Sequence, residues 1–188
     1  MPTVLIVYAT DHGSTEKMAR ALARGVAEVE GWLGRLVKAE KATAEDVLQA
    51  EALVLGTPVH MASMDWRVKK FIDTVCGGLW AKDAVVGKVG AVFASGSGFG
   101  NAGGGCELAM LAMLDNLAEL GLVLVPLPKT TPGYAQGGLQ WGPYGRAHNE
   151  DLSPIAGGLP EERHLAARCH GRHIAKVAKA LAGGDHFK

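Results

Sequence analysis

Neither sign of charge is in excess in this chain: 19 lysines and arginines face 19 aspartates and glutamates, a formal net charge of zero. Without a one-signed field there is nothing to gather nucleic acid or an anionic membrane surface, and neither partner is expected. Cysteine is scarce, with Cys76, Cys106 and Cys169 the three examples in 188 residues. An odd number lacking C-x-x-C spacing argues against a disulfide framework or a zinc knuckle and leaves buried, reduced thiols as the expectation. No apolar run approaches the roughly 20 residues of a membrane span, and the first residues enter a strand-like run without a signal-peptide pattern, so a cytoplasmic protein is expected. His164, His170, His173 and Cys169 crowd one segment, but no acidic or thiol partner at ligand spacing accompanies them, and no metal is expected.

What is present is apolar material in periodic blocks. Hydrophobic residues make up 48% of the chain, enough for a single domain spanning 1–188 with a core of its own. Val4-Leu5-Ile6-Val7-Tyr8 and Ala52-Leu53-Val54-Leu55-Gly56 are apolar on both faces, the pattern of buried parallel strands. Further strands are expected at Leu33–Val37, Val89–Phe93 and Leu122–Leu127. Between them, Met18, Leu22, Val26 and Val29 form one helical stripe, Val68, Phe71, Ile72, Val75 and Cys76 a second, and Leu111, Leu114 and Leu117 a third. Thr43 with Asp46 opens a short helix, and Ala166, Cys169, Val177 and Leu181 mark a last one after Pro160. Strands alternating with helices predict an α/β doubly wound five-stranded parallel sheet, order 2-1-3-4-5, with helices on both faces. In that order the loops after strands 1, 3 and 4 meet at the switch point where such sheets bind ligands.

Those three loops carry the chemistry. Thr10, His12, Gly13, Ser14 and Thr15 lie between the first strand and the first helix, where free amides, the positive end of the helix dipole and side-chain hydroxyls converge. The loop holds no lysine or arginine, so it lacks the cation that a nucleoside triphosphate site places on the outer phosphates and suits a single terminal phosphate. The second loop is Pro58, Val59, His60, Met61, Ala62 and Ser63; the third begins Ser95, Gly96, Ser97, Gly98, Phe99. One phosphate anchor with two further walls fits a flat heteroaromatic ring. Trp141 and Tyr144 stand in a loop over 128–158, a length that calls for a substrate or subunit-contact role.

Gly56-Thr57-Pro58, Phe71-Ile72-Asp73 leading into Gly77-Gly78-Leu79-Trp80, Gly103-Gly104-Gly105 with Glu107, and Pro143-Tyr144-Gly145 before Ala156-Gly157-Gly158 resemble the flavodoxin-like FMN proteins of the WrbA-type NAD(P)H:quinone oxidoreductase family. The resemblance implies that the first loop holds the FMN phosphate, that Pro58 to Ser63 flank the isoalloxazine and that Ser95 to Gly98 meet its far edge; Phe99 stands in a glycine loop longer than the family's and is itself a candidate to stack on the flavin. It also implies that Trp80 borders the open face, where nicotinamide and quinone bind in turn. The chemistry then belongs to the flavin rather than to a catalytic side chain, with NAD(P)H as donor and a quinone-like small molecule as acceptor. The chain departs from the family at Glu119-Leu120, where a histidine pair would stand near the acceptor. Its shortened loop before the third strand leaves dimer or tetramer open. The alternative is a flavodoxin-type one-electron carrier, which the neutral charge disfavours, since such shuttles use an acidic surface to meet basic partners.

Overall fold

A computed structural model describes residues 1–98, 103–184 and 187. Along the chain run β1 (Thr3–Tyr8), α1 (Ser14–Ala27), β2 (Leu33–Lys38), α2 (Ala44–Leu48), β3 (Ala52–His60) and β4 (Ser63–Met64). Then come α3 (Trp66–Phe71), a π-helical turn (Ile72–Cys76), α4 (Gly77–Trp80), β5 (Val89–Gly96), α5 (Cys106–Glu119) and β6 (Val123–Leu124). The last elements are α6 (Tyr134–Gly137), β7 (Gly138–Leu139), β8 (Gly142–Arg146), a 3-10 turn (Glu161–Arg163) and α7 (Leu165–Leu181). The sheet order is β2-β1-β3-β5-β8-β7, and β2, β1, β3, β5 and β8 pair in parallel.

Alternation along each central strand divides the core in two. Val4, Ile6, Tyr8, Val54 and Phe93 face α1 and α7, whereas Leu5, Val7, Leu53, Leu55 and Val92 face the α3–α4 segment and α5. Burial on both faces is why these strands read as unbroken apolar runs. The fifth position of the sheet is shared. Of the expected strand over 122–127 only Val123–Leu124 pairs, against Val89–Gly90. The site end of β5 is flanked instead by β8, with Ala94 beside Tyr144 and Gly96 beside Arg146. The 128–158 segment, read as a loop, thus supplies a short helix and two strands, because the backbone of Ala94–Gly96 needs a hydrogen-bonding neighbour once β6 has ended.

Two glycines set the spacing of the first layer. A Cβ on Gly25 would lie 1.7 Å from the Arg168 carbonyl oxygen, and one on Gly171 would lie 2.1 Å from that of Leu22. The α1 and α7 backbones therefore touch directly, and α1, which begins at the Thr10–Thr15 loop, is seated by this contact. His170, wholly buried one residue before the crossing, has Nε2 3.0 Å from the Val125 carbonyl and no partner for Nδ1 among the described residues. Nε2 is consequently the protonated nitrogen. Burial pulls the imidazole pKa from 6.5 down to about 4. Below about pH 6.5 the unfolded chain takes up a proton that the folded chain refuses until about pH 4. Stability is thus fully present above this window and falls as pH drops through it, by on the order of 3 kcal/mol in all. Burial shifts His164 and His173 the same way. Denaturant melts between about pH 6.5 and pH 5 should show this slope, and His170→Gln should flatten most of it.

Candidate functional site

The loops after β1, β3 and β5 emerge side by side at the carboxyl edge of the sheet and enclose a cavity of about 320 Å³. Its lining comprises Thr10, Asp11, His12, Ser14, Thr15, Pro58, Val59, His60, Ser95, Gly96, Ser97, Ala147 and His148. No lysine or arginine is among them.

At one end stands the head of α1. Gly13 is the N-cap, at φ +85° and with no side-chain cap, so the first-turn amides are left for an acceptor from outside the helix. The turn is fixed from within: the Gly13 amide donates to Thr10 Oγ1 at 3.1 Å. Thr15 Oγ1 and Ser95 Oγ, both buried, lie 2.8 Å apart and tie the first loop to the third. A phosphate here would meet amides, hydroxyls and the positive end of a 14-residue helix. These donors fit the terminal phosphate of a mononucleotide.

The second wall is a hairpin. Val59 and His60 of β3 pair with Met64 and Ser63 of β4, and Met61 and Ala62 at the tip have φ of 46° and 61°. This tip is outside the cavity lining. Met61 is almost wholly exposed, and Ala62 packs on Gly105, the N-cap of α5, where a Cβ would come within 2.4 Å of the Ala62 methyl. The base of the hairpin is polar. Thr57 Oγ1 accepts the Asp65 amide at 2.8 Å, and the buried Asp65 carboxylate caps α3 by accepting the Arg67 amide at 2.8 Å. Arg67 Nη2 donates to Asp65 at 2.7 Å and to Asp11 at 2.8 Å. His60 stands between the same two carboxylates, with Nε2 3.3 Å from Asp11 and Nδ1 3.1 Å from Asp65. Burial alone would push the Asp65 carboxyl up, but the Arg67 side chain and amide and the nearby His60 hold it below the usual carboxylate range. Arg67 is correspondingly raised by its bonds to Asp65 and Asp11.

The third wall is the end of β5 with β8 behind it. Arg146 Nε donates to the Ser97 carbonyl at 3.2 Å and the Ala147 amide to that of Gly96 at 2.8 Å, which brings Ala147 and His148 into the lining. Gly98 follows at φ +68°, and Phe99 lies outside the described residues. Tyr144 and Trp141 are partly buried against the α5-side core, and burial raises the Tyr144 phenol. Trp80 is half exposed and lines a separate hollow with Ile72, Asp73, Cys76, Asn116 and Glu119. Asp11 and His148 were not singled out from the sequence, since nothing local marks a loop residue whose neighbours come from another strand. Cys106 is buried and pushed up to about 12, chiefly by burial and then by Glu107, so it is an inert thiol.

A sequence profile described as a flavodoxin domain matches residues 5–94. The chain is 39% identical over 186 residues to a flavodoxin of Aquifex aeolicus, covering 98% of this chain and 91% of that protein. It is 32% identical to an NAD(P)H dehydrogenase (quinone) of Paracoccus denitrificans over 98% of this chain and 97% of its relative. The chain belongs to the flavodoxin-like, WrbA-type family. Its fold agrees with that of a WrbA-like flavodoxin from Agrobacterium tumefaciens, at a TM-score of 0.71 and 21% identity, covering 96% of this chain and 99% of that one. The central strands run β2-β1-β3-β5 in a mostly parallel sheet with helices around it. Among the described residues no helix is long and apolar enough to cross a membrane.

Proposed function

We propose that this protein binds one FMN per chain in the cavity between the three loops and passes electrons from NAD(P)H to a quinone-like acceptor. The observation that supports it most directly is the convergence of an uncapped helix head with two further walls on one lysine-free and arginine-free cavity. When bound, FMN supplies the capacity to accept a hydride equivalent and release electrons. The chain's own residues bind and orient. Ser14, Thr15 and the first-turn amides of α1 receive the phosphate, the hairpin from Pro58 to His60 borders the ring, and Ser95 to Ser97 offer it backbone donors. Relatives named NAD(P)H dehydrogenase (quinone) match almost the whole chain, which supports the donor and acceptor classes.

A carrier role is the second reading, favoured by the flavodoxin of Aquifex aeolicus at 39% identity. Zero net charge weighs against it. Purified protein titrated with FMN should bind one equivalent and quench its fluorescence. Anaerobic mixing of the loaded protein with NADH or NADPH should then bleach the flavin directly, and benzoquinone should restore the colour. Binding of FMN without direct bleaching by either nucleotide would assign the carrier role, and no FMN binding would end both readings.

A further inference from the structure

Four side chains at the second wall form a closed ring in which carboxylates alternate with a guanidinium and an imidazole. Arg67 bonds Asp11 and Asp65, and His60 stands between the same two carboxylates, so each basic residue touches both acids. The ring also joins two parts of the chain that the fold merely sets side by side. Asp11 belongs to the phosphate loop after β1, whereas His60, Asp65 and Arg67 belong to the hairpin after β3 and the head of α3. Asp11 and His60 line the cavity from its two adjacent walls.

The geometry points to an ionic clamp in which His60 and Arg67 are positioning residues that hold the phosphate loop against the hairpin, closed fully only when His60 carries a proton on both ring nitrogens. The inference rests on the FMN reading above and concerns how the chain grips that cofactor. The chemistry of imidazole gives the requirement. A neutral ring has one N–H and one lone pair, and a lone pair facing a carboxylate oxygen at 3.1–3.3 Å is repelled. With both nitrogens protonated, the ring of two carboxylates, one guanidinium and one imidazolium is balanced. Loss of one proton leaves an uncompensated negative charge shared by Asp11 and Asp65, and Asp11 stands beside the loop that must receive a dianionic phosphate. Opening of the clamp and repulsion of the phosphate therefore act in the same direction, and both weaken the grip on FMN as pH rises.

The charged and titratable groups around His60 are Asp11 from the phosphate loop, Asp65 and Arg67 from the head of α3, and Glu40 after β2, 3.7 Å from Arg67. His12 and His148 line the same cavity, from the first loop and from the segment after β8. The phosphate of FMN itself titrates near pH 6, so each variant is compared with wild type at every pH rather than with itself.

The test measures the dissociation constant of FMN by fluorescence quenching from about pH 5.5 to about pH 8.5, across the histidine range, for wild type, His60→Gln, Asp11→Asn and His12→Asn. Circular dichroism verifies that each folds. Wild type should bind ~5-fold more tightly than His60→Gln at the acid end, as expected for a partly exposed ion pair, and the two should converge at the alkaline end. Asp11→Asn should lose the same pH dependence, because it removes the acid that joins the walls, while His12→Asn keeps it. A wild-type to His60→Gln ratio that stays constant with pH overturns the clamp. So does loss of the dependence in His12→Asn alone, or its retention in Asp11→Asn. Failure of wild type to bind FMN at any pH overturns the flavin reading itself, a result distinct from these.

Discussion

Ser14→Asp should abolish retention of FMN while leaving the protein folded and slightly more stable. The first residue of α1 follows an N-cap without a side-chain cap, and no lysine or arginine lines the cavity to absorb an added charge. A carboxylate about 4 Å from a phosphate, at an effective dielectric near 20, adds a repulsion of about 4 kcal/mol per unit charge pair, so affinity should fall by at least ~100-fold. The same carboxylate faces the positive end of the helix dipole, which stabilises the free protein by a few tenths to about 1 kcal/mol. Opposite signs for binding and stability separate this result from simple unfolding. Isothermal titration with FMN and a melt of the free protein read both, and undiminished affinity would remove the phosphate from the head of α1.

Gly171→Ala should be strongly destabilising although it adds only one methyl group. Helix propensity alone would favour alanine by about 1 kcal/mol in the interior of α7. The added methyl would instead lie 2.1 Å from the Leu22 carbonyl oxygen, a backbone atom of α1 that no side-chain rotation can move aside. Separating the two helices disturbs the packing of Met18, Leu22, Ile174 and Ala175 along the seam. We expect a net loss on the order of 3 kcal/mol, and a fall in Tm of ~10 °C for a domain of this size. A scanning melt checks it, and an unchanged Tm would mean that α1 and α7 are not in backbone contact. Because α1 heads the loop proposed to receive the phosphate, the surviving folded fraction should also hold FMN less tightly.

The central strands were legible because burial on both faces leaves a local trace: Val4-Leu5-Ile6-Val7-Tyr8 has no polar residue to betray an exposed face. The helices were legible from their stripes, and Thr10 to Thr15 from a glycine and hydroxyls at a strand-to-helix turn. Once the strand order was expected, the meeting of the three loops followed from topology. β8 left no such trace. Gly142-Pro143-Tyr144-Gly145-Arg146 contains no β-branched residue, and its strand conformation is imposed by pairing with Ala94–Gly96. The hairpin tip was hidden too, since Met61 and Ala62 hold left-handed conformations without the Asn-Gly or Asp-Gly pattern that announces such turns. The charged ring was out of reach for a different reason. Arg67 and Asp11 are 56 positions apart, and only the adjacency of β1 and β3 brings them together.

Sharing the outermost sheet position between β6 and β8 separates two duties that one continuous strand would have to combine. Val123–Leu124 closes the floor of the molecule, while Gly142–Arg146 shapes the rim beside Ser95–Ser97. Between these two segments Val125 and Leu127 are anchored in the hydrophobic interior, so the mouth of the pocket can be remodelled only at the exposed stretches of the connection, such as Pro128–Thr130 and Ala135–Gln136. The rim is still coupled to the head of the first helix, because Gly145 lies directly on Met18 of α1, whose sulfur an added Cβ would meet at 2.8 Å.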